Sequence, residues 1–298
     1  MTLPNFLIIG AAKSGTTALY TYLKQHPEIF MSTPKELRYF SNVSSPPEGI
    51  PHHRAVFSLE EYKSYFDAVT DEKAYGESSP MYLYTPGTAE RIRTAIPDVK
   101  ILAILRNPID RAYSAYTHAL RDWIETAETF EEALEKEPER IGAGWGMLWH
   151  YANAGYYYEQ LSRYYKVFDP DQIRVFLHDD LVKDVDAMLK EIFLFLDVDP
   201  NFKSDTSSRP NVSGFPKNKF LHGLMKKVFI NDNPVKRVSR VLFPEKLRRK
   251  VMLSLRNPNL EKREMPENIR THLQNLYSED IQKLSQLIQR DLSHWLTE

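Results

Sequence analysis

Residues 6–25, FLIIGAAKSGTTALYTYLKQ, limit the fold more than any other part of the chain. They read as an apolar strand, a glycine-bounded turn and a helix opening at Thr16 and Thr17. Backbone N–H groups of such a turn, with those of the helix N-terminus, form a cradle for an anion. The spacing Gly10-x-x-Lys13-Ser14-Gly15-Thr16-Thr17 departs from a nucleotide-triphosphate loop, which carries its lysine after the second glycine. Here Gly15 is followed by Thr16 and the lysine lies inside the turn. The cradle is kept and the metal-and-triphosphate arrangement is altered, so the expected anion is not a Mg-bound triphosphate.

The rest of the chain places this loop in an α/β fold. Strand-like runs lie at residues 5–9, 74–77, 99–105 and 173–177. Helical patterns fall at 16–25, 59–66, 88–95, 109–123, 130–136, 145–168 and 181–196. Short apolar strands alternating with helices predict a mostly parallel, P-loop-like central sheet covered on both faces. Ligands of such sheets bind at the carboxyl ends of the strands. Residues 197–219 read as a loop, and 266–292 as part of a largely helical C-terminal region. Between Lys217 and Lys250 stand eleven Lys or Arg against two acids, a solvated helical face or a contact for an anionic glycan, carrier protein or membrane surface. The 298 residues carry a net charge of −1, which gives no global nucleic-acid signature. With no cysteine, disulfides, thiol catalysis and cysteine-ligated metals are excluded. The apolar run at 5–12 lacks a basic flank before it, and no run reaches the length of a membrane span, so a cytoplasmic protein is expected.

A second motif lies at residues 99–116, VKILAILRNPIDRAYSAY. An apolar strand ends in Leu105-Arg106-Asn107-Pro108, and proline at the first helical position starts a helix. Arg106 at the strand end either pairs with a carboxylate at the sheet edge or, with Ser114 two turns into the helix, grips a second phosphate.

Together these motifs resemble the sulfotransferase superfamily that uses 3′-phosphoadenosine 5′-phosphosulfate. More narrowly, the chain is similar to the branch containing heparan sulfate N- and O-sulfotransferases and their bacterial relatives. Residues 10–19 match the family's 5′-phosphosulfate loop and 105–116 its 3′-phosphate motif. Lys35-Glu36-Leu37-Arg38-Tyr39-Phe40 matches the segment that carries the catalytic base. Glu77-Ser78-Ser79-Pro80-x-Tyr82 matches a segment near the acceptor. The match runs in order to about residue 196. The resemblance implies one sulfotransferase domain over 1–298, with a donor-binding core at 1–196 and a loop plus helical extension, a candidate lid, at 197–298.

Sulfuryl transfer is an in-line displacement, and positioning and charge stabilisation should dominate it. Lys13 would neutralise the bridging oxygen, and Ser14, Gly15, Thr16 and Thr17 would hold the 5′-phosphate without a metal. Arg106 and Ser114 would grip the 3′-phosphate, and adenosine 3′,5′-bisphosphate would be the product. A hydroxyl acceptor needs a general base. Glu36 fills that slot by resemblance, with a solvated loop carboxylate as its bland alternative. His118, four residues after Ser114 on the same helical face, is a rival or helper, or an ordinary helix histidine. The position of Ser78 holds a lysine in the 3-O-sulfotransferases, so Lys13 acts alone here or Arg38 contributes. The family's late Lys-Gly-Arg-like loop has no clear counterpart, and Arg256, Lys262 and Arg263 are its substitutes. The aromatic-rich middle, Tyr82, Tyr84, Trp123, Trp145 and Trp149 among it, either stacks on sugar rings or is core. His52 and His53 hint only faintly at metal. The acceptor is a small-molecule, glycan or carrier-bound group, and a homodimer is allowed. A phosphoryl-transfer P-loop enzyme and a catalytically silent nucleotide-fold protein are the alternatives. The first lacks a lysine after Gly15 and a strand-end aspartate for Mg²⁺.

Overall fold

The computed structural model describes residues 2–41, 56–207, 214–225, 227–228 and 245–297. Its strands are β1 (Phe6–Gly10), β2 (Ile29–Met31), β3 (Ala74–Ser78), β4 (Lys100–Leu105) and β5 (Ile173–Leu177). They form one parallel sheet in the order β2-β3-β1-β4-β5. Phe6 stands opposite Gly76 on one side and Lys100 on the other, and the register against β4 shifts between Ile8 and Gly10. The expected α/β architecture is therefore present, with β1 at its centre.

The two-residue period of a strand divides the core. Leu7, Ile9, Ile101, Ala103 and Leu105 enter one apolar cluster, and Phe6, Ile8, Leu102 and Ile104 the other. Every one of these side chains is buried, which is why both central strands read as unbroken apolar runs. The helices up to Arg121 are α1 (Thr16–Leu23), α2 (Leu59–Ser64), α3 (Met81–Tyr84), α4 (Thr88–Ala95) and α5 (Pro108–Arg121). α1 and the helix Val185–Phe195 cover one face with Leu19, Leu23, Leu189 and Ile192. On the opposite face lie α5, the helix Tyr157–Tyr165 and the long C-terminal helix Glu267–Ile288.

This topology fixes where a ligand can sit. From β1 the chain leaves through α1 toward β2, and from β4 through α5 toward β5, on opposite sides. β1 and β4 are neighbours, so the crevice at their carboxyl ends is the switch point of the sheet.

Several element boundaries differ from the sequence expectation. β2 lies outside the expected strands; three residues are too few to show a period. The helix expected over 145–168 is only Tyr157–Tyr165, preceded by single 3₁₀ turns at Met147–Trp149 and Asn153–Gly155. The carboxylate of Glu137 accepts the N–H groups of Ala152 and Asn153 at 2.7 Å each and so replaces their helical partners. Gly155 lets Tyr277 pass, since a Cβ there would lie 2.5 Å from its hydroxyl oxygen. The helix expected over 181–196 is two, His178–Lys183 and Val185–Phe195, because Asp184 turns extended and caps the second through the N–H of Ala187 at 3.0 Å. The expected loop 197–219 holds a short strand, Phe215–Pro216, antiparallel to Leu260–Glu261. His52 and His53 lie outside the described residues. No described helix is long and apolar enough to cross a membrane.

Candidate active site

The loop after β1 is pinned at its start, where the N–H of Ala11 donates to the Ile104 carbonyl of β4 at 2.8 Å. Lys13 and Gly15 both take left-handed backbone, φ 71° and 104°. A Cβ on Gly15 would lie 2.8 Å from Leu181 Cδ2, and its φ is one that residues other than glycine rarely adopt. Gly15 then caps α1 with no side-chain hydrogen bond and no acid in the first turn. The first N–H groups of such a helix have no intrahelical partner and face an anion readily. Thr16 is buried and Thr17 half-buried at this end. Ser14 Oγ is wholly buried without a well-formed hydrogen bond, and the hydroxyl of Tyr157 beside it is in the same state. Orphaned hydroxyls under an anion cradle are groups that a ligand oxygen would satisfy.

Lys13 reaches His118 on α5, with Nζ 2.9 Å from Nδ1. When Lys13 is charged it can only donate, which leaves the lone pair on Nδ1 and the ring proton on Nε2. That nitrogen faces Asp122 Oδ2 at 3.3 Å. Asp122 in turn accepts from Arg121 at 2.8 and 2.9 Å and from Arg256 Nη1 at 2.7 Å. Burial, reinforced by Arg121, lowers Lys13 from its ordinary value to about 7, although Asp122 pulls the other way. Burial and the Lys13 charge together hold His118 at about 3, so its ring is neutral. For Asp122, burial works against the charge, but Arg121 outweighs it and the carboxyl titrates below its usual range.

Asp110, Ser114, His118 and Asp122 fall at intervals of four along α5 and past its end, so they share one face. Asn107 caps this helix through the N–H of Ile109 at 3.0 Å, and Pro108 begins it. Arg106, at the end of β4, comes only within 4.0 Å of Asp110, whose other oxygen accepts from Arg270 at 3.0 Å. Its charge also acts on Lys13 and on His178, which packs beside Gly15 and is lowered by burial and by Arg106. Ser114 is half-buried one turn before His118.

Glu36 sits on a segment with two non-glycine residues in left-handed backbone, Glu36 itself at φ 69° and Arg38 at φ 60°. Its carboxylate accepts from Lys35 Nζ at 2.9 Å and Arg38 Nη2 at 2.7 Å. Burial pushes its pKa up, but Lys35 and then Arg38 more than offset that and hold it at about 2. Its charge is felt at Lys13. Ser78, where the resemblance expects a lysine, is a buried hydroxyl with no hydrogen-bond partner.

Of the three late basic residues, Arg256 is buried and reaches the cluster through Asp122. Arg263 pairs with Glu261 at 2.7 Å and lies over Phe215, and Lys262 is exposed. Of the aromatic residues, Tyr82 and Trp149 are core, while Tyr84 is half-buried and bonded to His150 at 2.7 Å. Sequence reasoning missed Arg121, Asp122 and His178. Asp122 alone carried a signal, since it extends the four-residue spacing of Ser114 and His118.

The sulfotransferase domain family model matches residues 3–283. A sulfotransferase from Alicyclobacillus acidocaldarius superposes with a TM-score of 0.77 at 34% identity, over 99% of this chain and 99% of that one. The membrane-associated sulfotransferase kil1 of Dictyostelium discoideum is 33% identical over 47% of this chain and 29% of its own length. The human bifunctional heparan sulfate N-deacetylase/N-sulfotransferase 3 is 29% identical over 67% of this chain and 23% of its own length. The chain thus spans under a third of these two curated relatives.

Proposed function

The chain belongs to the sulfotransferase domain family. On that premise we propose that it moves a sulfuryl group from 3′-phosphoadenosine 5′-phosphosulfate to a hydroxyl or amine of a glycan, lipid or other metabolite. The observation that supports the reading is that both phosphate motifs stand at the carboxyl ends of adjacent strands. One is the Lys13–Thr17 turn after β1, and the other is Arg106 with Ser114 after β4. A donor with phosphate at both ends of its ribose matches two separate grips.

The donor supplies a sulfuryl group on a phosphate leaving group, and the residues do the rest. Ser14, Gly15, Thr16 and Thr17 bind the 5′-phosphate through backbone N–H groups and hydroxyls, and Ser14 Oγ gains the partner it lacks. Lys13 offsets the charge that gathers on the bridging oxygen. His118 holds Lys13 beneath the loop through Nδ1. With Nε2 turned to Asp122, both ring nitrogens are occupied, which leaves Glu36 as the base for the acceptor proton. Lys35 and Arg38 keep Glu36 ionised at some cost in basicity. Arg256 is the late basic residue best placed to serve the donor side.

The test is calorimetric titration with adenosine 3′,5′-bisphosphate in EDTA, alongside ATP with Mg²⁺. Micromolar bisphosphate binding with little ATP binding is expected, and preference for ATP·Mg²⁺ would overturn the reading. With labelled donor and N-deacetylated heparosan as the first acceptor, Glu36→Gln should keep donor binding and lose on the order of a hundredfold in turnover. If turnover survives that change and falls in His118→Ala, the base is His118.

A further inference from the structure

Glu77, one residue before the end of β3, is wholly buried, and hydroxyl groups gather around it. Ser79 Oγ donates to Oε2 at 2.6 Å, while the hydroxyls of Tyr82 and Tyr62 donate to Oε1 at 2.5 and 3.0 Å. Burial pushes the carboxyl up from its ordinary value, and Ser79, Tyr82, Tyr62 and the Leu37 N–H pull it back. A carboxyl set in a sheet interior is costly and gains little for stability alone.

Two of these hydroxyls do a second job. Ser79 Oγ accepts the backbone N–H of Arg38 at 3.0 Å, and the Tyr82 hydroxyl accepts that of Phe40 at 3.3 Å. Each relay runs from a backbone N–H, through a hydroxyl, to the same carboxylate. The third hydroxyl belongs to Tyr62, whose ring stacks on Tyr39 with centroids 4.7 Å apart. The segment 36–40, gripped at Arg38 and Phe40, carries Glu36 and Arg38, both with left-handed backbone. For residues other than glycine that conformation costs roughly 1–2 kcal/mol each and persists only when the surroundings impose it.

We propose that Glu77 is a positioning residue: through Ser79 and Tyr82 it holds the segment 36–40 in the shape that presents Glu36, paired with Arg38, to the reacting group. The inference rests on the reading of Glu36 as the base, and it assigns the burial of Glu77 to that task.

The first measurement is amide hydrogen exchange over 37–41 in Ser79→Ala and Tyr82→Phe, which keep the carboxylate and nearly all of the packing. Exchange should quicken there by about tenfold or more, while β1 and β4 stay protected. Unchanged exchange in both variants overturns the clamp, whatever the enzyme does. The second is a double-mutant cycle with labelled donor and N-deacetylated heparosan. Glu77→Gln should lower kcat on the order of a hundredfold with bisphosphate affinity kept. In a Glu36→Gln background the same change should cost under about threefold, because its effect passes through Glu36. An equal loss in both backgrounds makes Glu77 merely structural and overturns the proposal. Should Glu77→Gln fail to fold, Ser79→Ala takes its place in the cycle. A wild-type chain that transfers nothing and binds no bisphosphate sinks the functional reading, while exchange still judges the clamp.

Discussion

At the scale of single residues, Lys13 is set to respond to its ligand. Burial and Arg121 bring it to about 7 in the free protein, so near neutrality it carries its charge only part of the time. A phosphate beside Nζ favours the charged form. Binding above the free value must therefore take up a proton, and affinity must fall as pH rises. Between about pH 7 and pH 9 the affinity for adenosine 3′,5′-bisphosphate should drop by up to about tenfold per pH unit. Lys13→Ala should bind more weakly with a flat profile over that range. Calorimetry at several pH values checks both, and a flat wild-type profile would remove Lys13 from the phosphate site. His118 enters this balance as an acceptor that cannot take a proton near neutrality, being held at about 3.

At the scale of elements, the turn between β1 and α1 depends on Gly15. Alanine there would meet Leu181 Cδ2 at 2.8 Å in a backbone, φ 104°, that L residues avoid. Gly15→Ala should lose about 1–3 kcal/mol of stability, read as a denaturant midpoint, and most donor binding with it. Intact binding would mean that the loop reshapes without loss. This element was legible in the sequence because its parts are contiguous: an apolar strand, a glycine turn and a helix start. The same holds for Arg106 and Ser114 across one strand–helix junction. Interactions joining distant segments were not legible. Tyr62 reaches Glu77 from α2, fifteen residues away, and nothing local to it announces that partner. The 3₁₀ turns at 147–155 were hidden for the same reason, since Glu137 and Tyr277 impose them from elsewhere in the chain.

At the scale of the whole molecule, the two parts of the C-terminal region are held very differently. The helix Glu267–Ile288 and the residues after it close on the sheet through Arg290 on Asp180, Trp295 on Asp179 and Asn107, and a buried apolar face. Between Gly214 and Glu261 the described segment docks on the end of α5 through a few named contacts. His222 stacks on Trp123 at 4.6 Å and accepts its indole N–H through the backbone at 3.0 Å. Arg256 reaches Asp122 at 2.7 Å and lies over the Trp123 ring. Phe220 and Leu255 stand exposed on the same segment. Removing a charged partner from a half-buried pair costs about 1–3 kcal/mol, borne by the local opening of what it latches rather than by the sheet. Arg256→Ala should therefore speed chymotryptic cleavage after Phe220 by about 5- to 150-fold, with the global melting transition little changed. Asp122 also faces His118, which holds Lys13, so the same latch joins this segment to Lys13 and its histidine. Bisphosphate bound at Lys13 should accordingly slow the cleavage in the wild type and do so less in Arg256→Ala. Equal protection in both proteins would show that the segment and the anion site move independently.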